Sequence, residues 1–161
     1  FAGREKEAAA KRAQIEKEYA ALTQDVQKGR GPKVLIIFGS PDSFNMSTKK
    51  SFGGDLAERL GAVNIADKAE NVKDSSYIPL SMEFVAKENP DVVMLITMGG
   101  SKEILEKLRA NMRDNAIWHD VNAVKNNRVY QLPPSLFTVN PGTHTIDAMK
   151  IMKKYIYGEA K

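Results

Sequence analysis

The sequence predicts an α/β fold, and three observations predict it. Short runs rich in apolar residues, the pattern of strands buried on both faces, occur at residues 34–38, 91–96 and 128–132. Segments with the apolar spacing of helices alternate with these runs, at residues 55–60, 80–88, 102–112 and 143–157. Glycine or proline stands at several of the junctions between these strand-like and helix-like segments. The predicted fold class is therefore a three-layer Rossmann-like lobe with a mostly parallel central sheet, preceded by a long helix.

The first helix is predicted at residues 4–28, a stretch without Pro or Gly that is rich in Ala, Glu, Lys and Arg. Its narrow apolar stripe consists of Ile15, Tyr19, Leu22 and Val26. The turns before Arg12 offer only alanine for packing, so we expect that end to pack against something outside the lobe. We therefore divide the chain into a linking helix at residues 1–31 and a lobe at residues 32–161.

Turn and capping residues justify the remaining elements in chain order. Residues 39–52 are expected to form a long loop after the first strand, and Gly61 to end the next helix. Ser81 and Ser101 are the expected N-caps of the two helices that follow. Two further short elements, a strand and a helix, are expected at residues 63–65 and 120–125.

The composition excludes several classes of protein. The 161 residues suffice for one domain with its own core. There is no cysteine, which excludes disulfides, thiolate zinc sites, iron–sulfur clusters and cysteine nucleophiles. The longest apolar runs, residues 34–38 and 92–98, are far shorter than the roughly 18 residues of a membrane span. The net charge of +4 arises from lysines that mostly alternate with acidic residues, so we expect no nucleic-acid partner.

The candidate binding site lies where the predicted strands end, because ligands of open α/β sheets bind outside the carboxyl ends of the strands. Three segments occupy that position, at residues 39–52, 97–100 and 132–140. Their mixture of apolar, thioether and hydrogen-bonding groups suits the binding of a ligand better than catalysis. The candidate ligand-binding residues are Ser43, Phe44, Asn45, Met46, Met98, Phe137 and Thr138.

The sequence contains no recognisable catalytic set. His119 and His144 stand far apart, and each is interpreted as a surface or capping residue. There is no G-x-S-x-G nucleophile elbow, no histidine spacing of a metal site and no standard glycine-rich phosphate loop. The residues therefore offer no catalytic set and no metal-ligating set.

Four segments in this order resemble one known family. They are residues 52–66, which begin Phe-Gly-Gly-Asp-Leu, residues 81–93, with Ser-Met-Glu and Asn-Pro-Asp-Val-Val, residues 118–130, which end Asn-Asn-Arg-Val-Tyr, and residues 141–157, which begin Pro-Gly. Together they resemble the C-terminal lobe of the periplasmic or lipoprotein substrate-binding proteins of iron-siderophore, haem and cobalamin ABC importers. The resemblance runs from about Pro32 onward, and the first helix resembles the helix that links the two lobes in that family.

The resemblance implies a function. Such a lobe forms one side of a cleft that holds an iron-siderophore-type chelate, with haem and cobalamin as alternatives, and the chelate is cargo rather than a cofactor. The resemblance therefore implies a protein that is not an enzyme and has no resident cofactor. The implied partners are the transmembrane subunits of an ABC permease, and Glu83 matches the surface glutamate that docks on them. The implied location is extracytoplasmic, either in the periplasm or at the cell surface as a membrane-anchored lipoprotein.

Two other functions stay open at this point. Gly39-Ser40-Pro41 faintly resembles the phosphate loop of flavodoxin-like proteins, which would make the chain a free-standing module that binds a nucleotide or flavin. The apolar stripe of the first helix, together with Glu83, would instead suit a pure protein-interaction domain.

Overall fold

The computed structural model describes residues 2–70, 72, 74–137 and 144–158 of the chain. Its strands are β1 (Lys33–Gly39), β2 (Phe44–Ser47), β3 (Val63–Asn64), β4 (Tyr77–Pro79), β5 (Val92–Thr97) and β6 (Val129–Gln131). Its helices are α1 (Ala2–Thr23), α2 (Phe52–Arg59), α3 (Met82–Glu88), α4 (Lys102–Asp114), α5 (Asn122–Lys125), α6 (Pro134–Phe137) and α7 (Thr145–Tyr157). The predicted α/β class is confirmed.

The central sheet has the strand order β4-β2-β1-β5-β6, and β3 pairs with the beginning of β1. β1 and β5 run parallel over six paired positions, from Val34 beside Val92 to Gly39 beside Thr97. β3 and β6 are also parallel to their neighbours, whereas β2 runs antiparallel to both β1 and β4. β1 therefore lies at the centre of a mostly parallel sheet.

Side chains on the two faces of this sheet enter two separate hydrophobic clusters. One cluster joins Val34, Ile36 and Met94 to helices α2, α6 and α7. The other joins Leu35 and Ile37, on the opposite face of β1, to helices α3, α4 and α5. Fully burying an aliphatic side chain of this size stabilises the fold by about 1.5–3 kcal/mol, so β1 requires helices on both faces.

Among the residues that the structure describes, helix α1 contacts the lobe through its last turns. The side chains of residues 3–17 are all exposed, whereas Tyr19 and Leu22 of the predicted stripe pack against the α7 side of the lobe. Lys153 Nζ of α7 donates to the Leu22 carbonyl at 2.7 Å and thereby satisfies one of the free carbonyls at the end of α1. Arg59 Nη1 of α2 donates to the Tyr19 hydroxyl at 3.1 Å. The division of the chain at residue 31 stays a prediction.

The prediction of a long loop at residues 39–52 was wrong, because β2 occupies the middle of this segment. The strand Phe-Asn-Met-Ser is short and alternates only weakly between apolar and polar residues, so its sequence pattern resembles a loop. The edge strand β4, Tyr77–Pro79, was also missed. The predicted strand at residues 63–65 is shorter, since a 3₁₀ helix begins at Ile65. The start of the predicted last helix at Thr143 lies outside the described residues.

Gly61 lies where α2 turns into β3, at the end of the lobe where β1 begins. Its φ of +85° is a conformation that L side chains rarely adopt, and it lets the backbone pass close to Val26 and Tyr157. The Tyr157 hydroxyl donates to the carbonyl of Leu60, the residue before Gly61. The predicted C-terminal cap is therefore also a packing position that joins the ends of α1, α2 and α7.

We expect Gly61→Ala to destabilise the protein more than Gly29→Ala, although both glycines have positive φ, +85° and +72°. At Gly29 nothing lies within 4 Å of an added Cβ, so only the backbone cost of about 1–2 kcal/mol applies. At Gly61 an added Cβ would lie 2.7 Å from Val26 Cγ1, which adds about 1–3 kcal/mol of overpacking. Urea unfolding of both variants measures the difference, and equal losses would contradict the packing role of Gly61.

Candidate functional site

The candidate site lies along the carboxyl edge of the sheet, which we define as the segments 40–43, 98–101 and 132–137 that follow β1, β5 and β6. β1 ends at Gly39 and β5 ends beside it at Thr97, so two of these segments start side by side. β2 begins at the same edge, because Phe44 pairs with Gly39. The topology therefore brings together residues that are more than 50 positions apart in the chain.

The turn at residues 40–43 is held by hydrogen bonds of its own. The backbone N–H of Ser40 donates to the carbonyl of Ser43 at 2.9 Å, and the two serine hydroxyls lie 3.0 Å apart. Asn45 Nδ2 in turn donates to Ser43 Oγ at 3.1 Å. Two predicted ligand-binding residues, Ser43 and Asn45, thus belong to one small polar network at the rim of the edge.

The segment after β5 presents Met98 to solvent. Met98 is 49% exposed, whereas most of the other methionines with described side chains lie in the core. Gly99 and Gly100 follow with φ of +61° and +70°, and Ser101 Oγ caps α4 by accepting from the Ile104 N–H at 3.2 Å. This fixed turn holds the Met98 thioether at the edge of the sheet.

Two aromatic pairs lie on the α2 and α7 face of the sheet, and we call their four side chains the aromatic shelf: Phe38 with Tyr77, and Phe52 with Phe137. The Phe38 and Tyr77 rings have their centroids 5.0 Å apart, and those of Phe52 and Phe137 are 5.8 Å apart. Tyr77 is 45% exposed and Phe38 and Phe52 are half-buried, so the shelf offers apolar ring surface to a ligand. Of the four, sequence reasoning had singled out only Phe137.

The other predicted ligand-binding residues differ in how far their side chains are exposed. Phe44 is half-buried beside Gly39 on the α4 face. Met46 was predicted to contact ligand, but it is 2% exposed and packs in the core, because the alternation of β2 turns it inward. Phe137 is 8% exposed, and Thr138 lies outside the described residues. The roles of Ser43, Phe44, Asn45, Met98, Phe137 and Thr138 stay predictions.

Beside Phe52, two lysines line a shallow polar surface. The lining residues of this cavity of about 510 Å³ are Lys49, Lys50, Ser51, Phe52, Asp55 and Glu58. The backbone N–H of Lys49 donates to Asp67 Oδ1 at 2.9 Å, and burial raises the pKa of the Asp67 carboxyl. Lys50 Nζ lies 3.9 Å from the exposed Asp74. This surface therefore places two lysines and two carboxylates, Asp55 and Glu58, beside Phe52 of the aromatic shelf.

Glu83 occupies the first turn of α3. Ser81 is the N-cap as predicted, and its hydroxyl accepts from the Phe84 N–H at 3.4 Å. The Glu83 side chain is exposed and forms no ion pair with any residue that the structure describes. It is therefore free to pair with a cation of another molecule, as the predicted docking role requires.

The histidines and acidic residues do not assemble a further centre in the described part of the chain. His119 Nε2 lies 3.0 Å from the Arg113 carbonyl oxygen, and His144 Nδ1 lies 3.6 Å from Asp147. Within residues 2–70, 72, 74–137 and 144–158 there is no group of three His, Cys, Asp or Glu side chains that would hold a metal ion. None of the helices in these ranges has the length and apolar composition needed to cross a membrane.

Comparison with known sequences gives the family. The profile described as periplasmic binding protein matches residues 1–136, so the chain belongs to the periplasmic binding protein family. It is 37% identical over 121 residues to the high-affinity heme uptake system protein IsdE of Staphylococcus aureus. That stretch is 75% of this chain and 39% of the relative, so the chain spans about two fifths of the length of this curated relative.

Comparison with solved structures points to the same family. An ABC transporter substrate-binding protein from Listeria monocytogenes matches 94% of this chain and 57% of its own, with 29% identity and a TM-score of 0.77. S. aureus IsdE complexed with heme matches 96% of this chain and 59% of its own, with 28% identity and a TM-score of 0.80.

These matches confirm the predicted family and lobe fold. They also confirm that the chain is not an enzyme, because the family consists of non-enzymatic transport components that work outside the cytoplasm. The flavodoxin-like alternative has no support among them.

Asp67→Asn is expected to raise the free energy of unfolding at pH 7. Burial raises the folded-state pKa of Asp67 above its ordinary value of 3.8, so its charge is less favourable in the folded than in the unfolded protein. That penalty applies above the folded pKa and disappears as the pH falls to the unfolded value, so the advantage of asparagine shrinks in acid. Asparagine keeps an oxygen that accepts from the Lys49 N–H.

Urea unfolding at pH 7 and at pH 4 measures this effect. Asp74→Asn is the matched control, because the Asp74 side chain is 99% exposed. If Asp67→Asn raises the free energy of unfolding equally at both pH values, or no more than Asp74→Asn does, burial of the Asp67 charge does not destabilise the protein.

Proposed function

We propose that the chain is the ligand-binding lobe of an ABC importer substrate-binding protein that carries an iron chelate to a membrane permease. The observation that supports this most is the exposed Met98 at the carboxyl edge of a periplasmic binding protein lobe, together with the aromatic shelf on one face of the same sheet. Ligands of open α/β sheets bind at this edge, and apolar surface with a few polar groups is typical of small-molecule sites. The chelate is the cargo of such a protein, and no resident cofactor is proposed.

Within the class of iron chelates, the chemistry of the edge favours haem. A porphyrin is a flat apolar ring, which matches the aromatic shelf. Lys49 and Lys50, which share their surface with Asp55 and Glu58, are cations available to its two carboxylates. A thioether is one of the axial ligands that proteins give to haem iron, and Met98 presents one. A strongly anionic catecholate siderophore would favour arginine, and the segments 40–43, 98–101 and 132–137 contain none. The relative IsdE is named for heme uptake.

The protein at its natural length is expected to bind ferric haem in a saturable manner, with a change in the Soret absorption and quenching of Trp118 fluorescence. Ferric siderophores and cyanocobalamin are titrated in parallel under the same conditions. Binding of a ferric siderophore alone would contradict the preference for haem but keep the chelate function. The absence of a response to all three ligands would overturn the proposed ligand class.

In the same assay, Met98→Ala is expected to weaken haem binding by about 10- to 100-fold. This range corresponds to the roughly 1.5–3 kcal/mol gained when a methionine side chain is buried against a ligand. Ile117→Ala is the matched control, because Ile117 is an apolar residue of similar exposure (39% against 49%) on the 3₁₀ helix that follows α4. Equal haem affinities of Met98→Ala and Ile117→Ala would show that Met98 does not contact the ligand.

We propose further that Glu83 docks on a cation of the permease. Its exposure and its lack of an ion pair within the described residues support this role. The location proposed for the protein is the outer side of the cytoplasmic membrane, either free in a periplasm or held by a lipid anchor. Partitioning of the natural protein into detergent separates these two states, since only an anchored form enters the detergent phase.

Glu83→Ala is expected to weaken binding to the reconstituted permease by about fivefold, a typical loss for one solvent-accessible charge pair. Binding is measured on permease in lipid nanodiscs at low and at physiological salt. Asp120→Ala is the control, since Asp120 is also an exposed carboxylate but belongs to the 3₁₀ helix at residues 116–120. Haem affinity should stay unchanged in both variants, and a loss of haem binding in Glu83→Ala would argue against a docking role.

A further inference from the structure

The sulfur atoms of this chain all belong to methionine. There are seven methionines and no cysteine, so a thioether is the only sulfur group of the chain that an oxidant can attack. Met82 is half-buried, and Met98 is 49% exposed. The other five are buried, with at most 9% of their surface exposed: Met46, Met94, Met112, Met149 and Met152. Oxidation requires access to the sulfur, so the fold directs a dissolved oxidant to Met98.

The surroundings of Met98 leave its thioether open to attack and let the fold tolerate the product. Gly99 and Gly100 follow it without side chains, and nothing lies within 4 Å of a Cβ built at Gly99. Within the described residues, Met98 belongs to neither hydrophobic cluster. An oxygen added to its sulfur therefore stays in solvent, whereas an oxygen on Met94 or Met149 would enter the apolar core. Oxidation of Met98 thus alters the carboxyl edge of the sheet and leaves the core intact.

We propose that Met98 is a reversible oxidation site, at which hydrogen peroxide lowers the affinity of the lobe for its chelate. This inference rests on the proposed function, in which the Met98 thioether contacts an iron chelate. The sulfoxide replaces a soft apolar group with a polar one, so it loses contact with an apolar ligand. The sulfur lone pair that forms the new bond is also no longer available to iron. The consequence is weaker capture of iron while peroxide is present.

The reaction balances with one molecule of peroxide for each sulfur. A lone pair of the Met98 sulfur attacks a peroxide oxygen, the O–O bond breaks, and an S–O bond forms. The leaving hydroxide takes the proton of the transferred oxygen and departs as water, so sulfur loses two electrons and peroxide gains them. In the reverse direction, a methionine sulfoxide reductase and a dithiol return the thioether, while the two thiols form a disulfide and the oxygen leaves as water.

The first test measures oxidation at each methionine in the protein at its natural length. The protein without ligand is exposed to dilute hydrogen peroxide, and peptide mass spectrometry follows the gain of one oxygen at each position. Met98 is expected to react at least about tenfold faster than the five buried methionines, with Met82 between them. Bound gallium protoporphyrin, a haem analogue whose metal does not react with peroxide, is expected to slow the reaction at Met98 and not at Met82. Equal rates at Met98 and at the buried methionines would overturn the proposal.

The second test measures the effect of this oxygen on binding. The reaction is stopped when Met98 is converted and the buried methionines are not, and the protein is titrated with ferric haem. Its affinity is expected to fall by about 10- to 100-fold, the same loss as for Met98→Ala, and to return after treatment with the reductases for both sulfoxide epimers.

Two variants serve as controls for this titration. Met98→Leu keeps an apolar side chain of similar size without the sulfur, so peroxide should not change its haem affinity, whatever its starting value. Met82→Leu should respond to peroxide like the wild type. The urea midpoint of the oxidised wild type should equal that of the untreated protein, because Met98 lies outside the core.

An unchanged haem affinity after conversion of Met98, or an equal peroxide response of Met98→Leu and the wild type, would overturn the proposal. A lower urea midpoint of the oxidised protein would also contradict it, since the lost affinity would then follow from a damaged fold. If the untreated wild type does not bind haem, the proposed function fails instead. Selective oxidation of Met98 is still decided by mass spectrometry in that case, so the two failures are distinguishable.

Discussion

The parallel pair of β1 and β5 is the constraint on which the rest of this structure depends. Its six paired positions place strands of almost continuous apolar sequence side by side, and Val34 to Ile37 are fully buried. Neither face can be left to solvent, so helices α2 and α7 cover one side and α3 and α4 the other. With both faces covered, the ends of the strands are the remaining places where the sheet can present side chains to a ligand.

This constraint explains how much of the fold the sequence predicts. Residues 34–38 and 91–96 were recognised as strands because burial on both faces requires an uninterrupted apolar run, which is visible in one sequence. β2 and β4 lie beside this pair toward the edge of the sheet, where polar residues are tolerated, so Phe44–Ser47 resembled part of a loop. The same error assigned Met46 to the ligand. Once residues 44–47 are a strand, alternation turns Met46 into the core.

The candidate site was predictable to a similar degree. Met98 was found because it follows a recognisable strand, and chain position alone puts it at the carboxyl edge. The aromatic shelf was not found, because the contact of Phe38 with Tyr77 depends on the pairing of β1 with β2 and of β2 with β4. Neither pairing has a signal in a single sequence when the strands themselves are not recognised. Glu83 was found through a family resemblance, and its charge has no local feature that separates it from other first-turn glutamates.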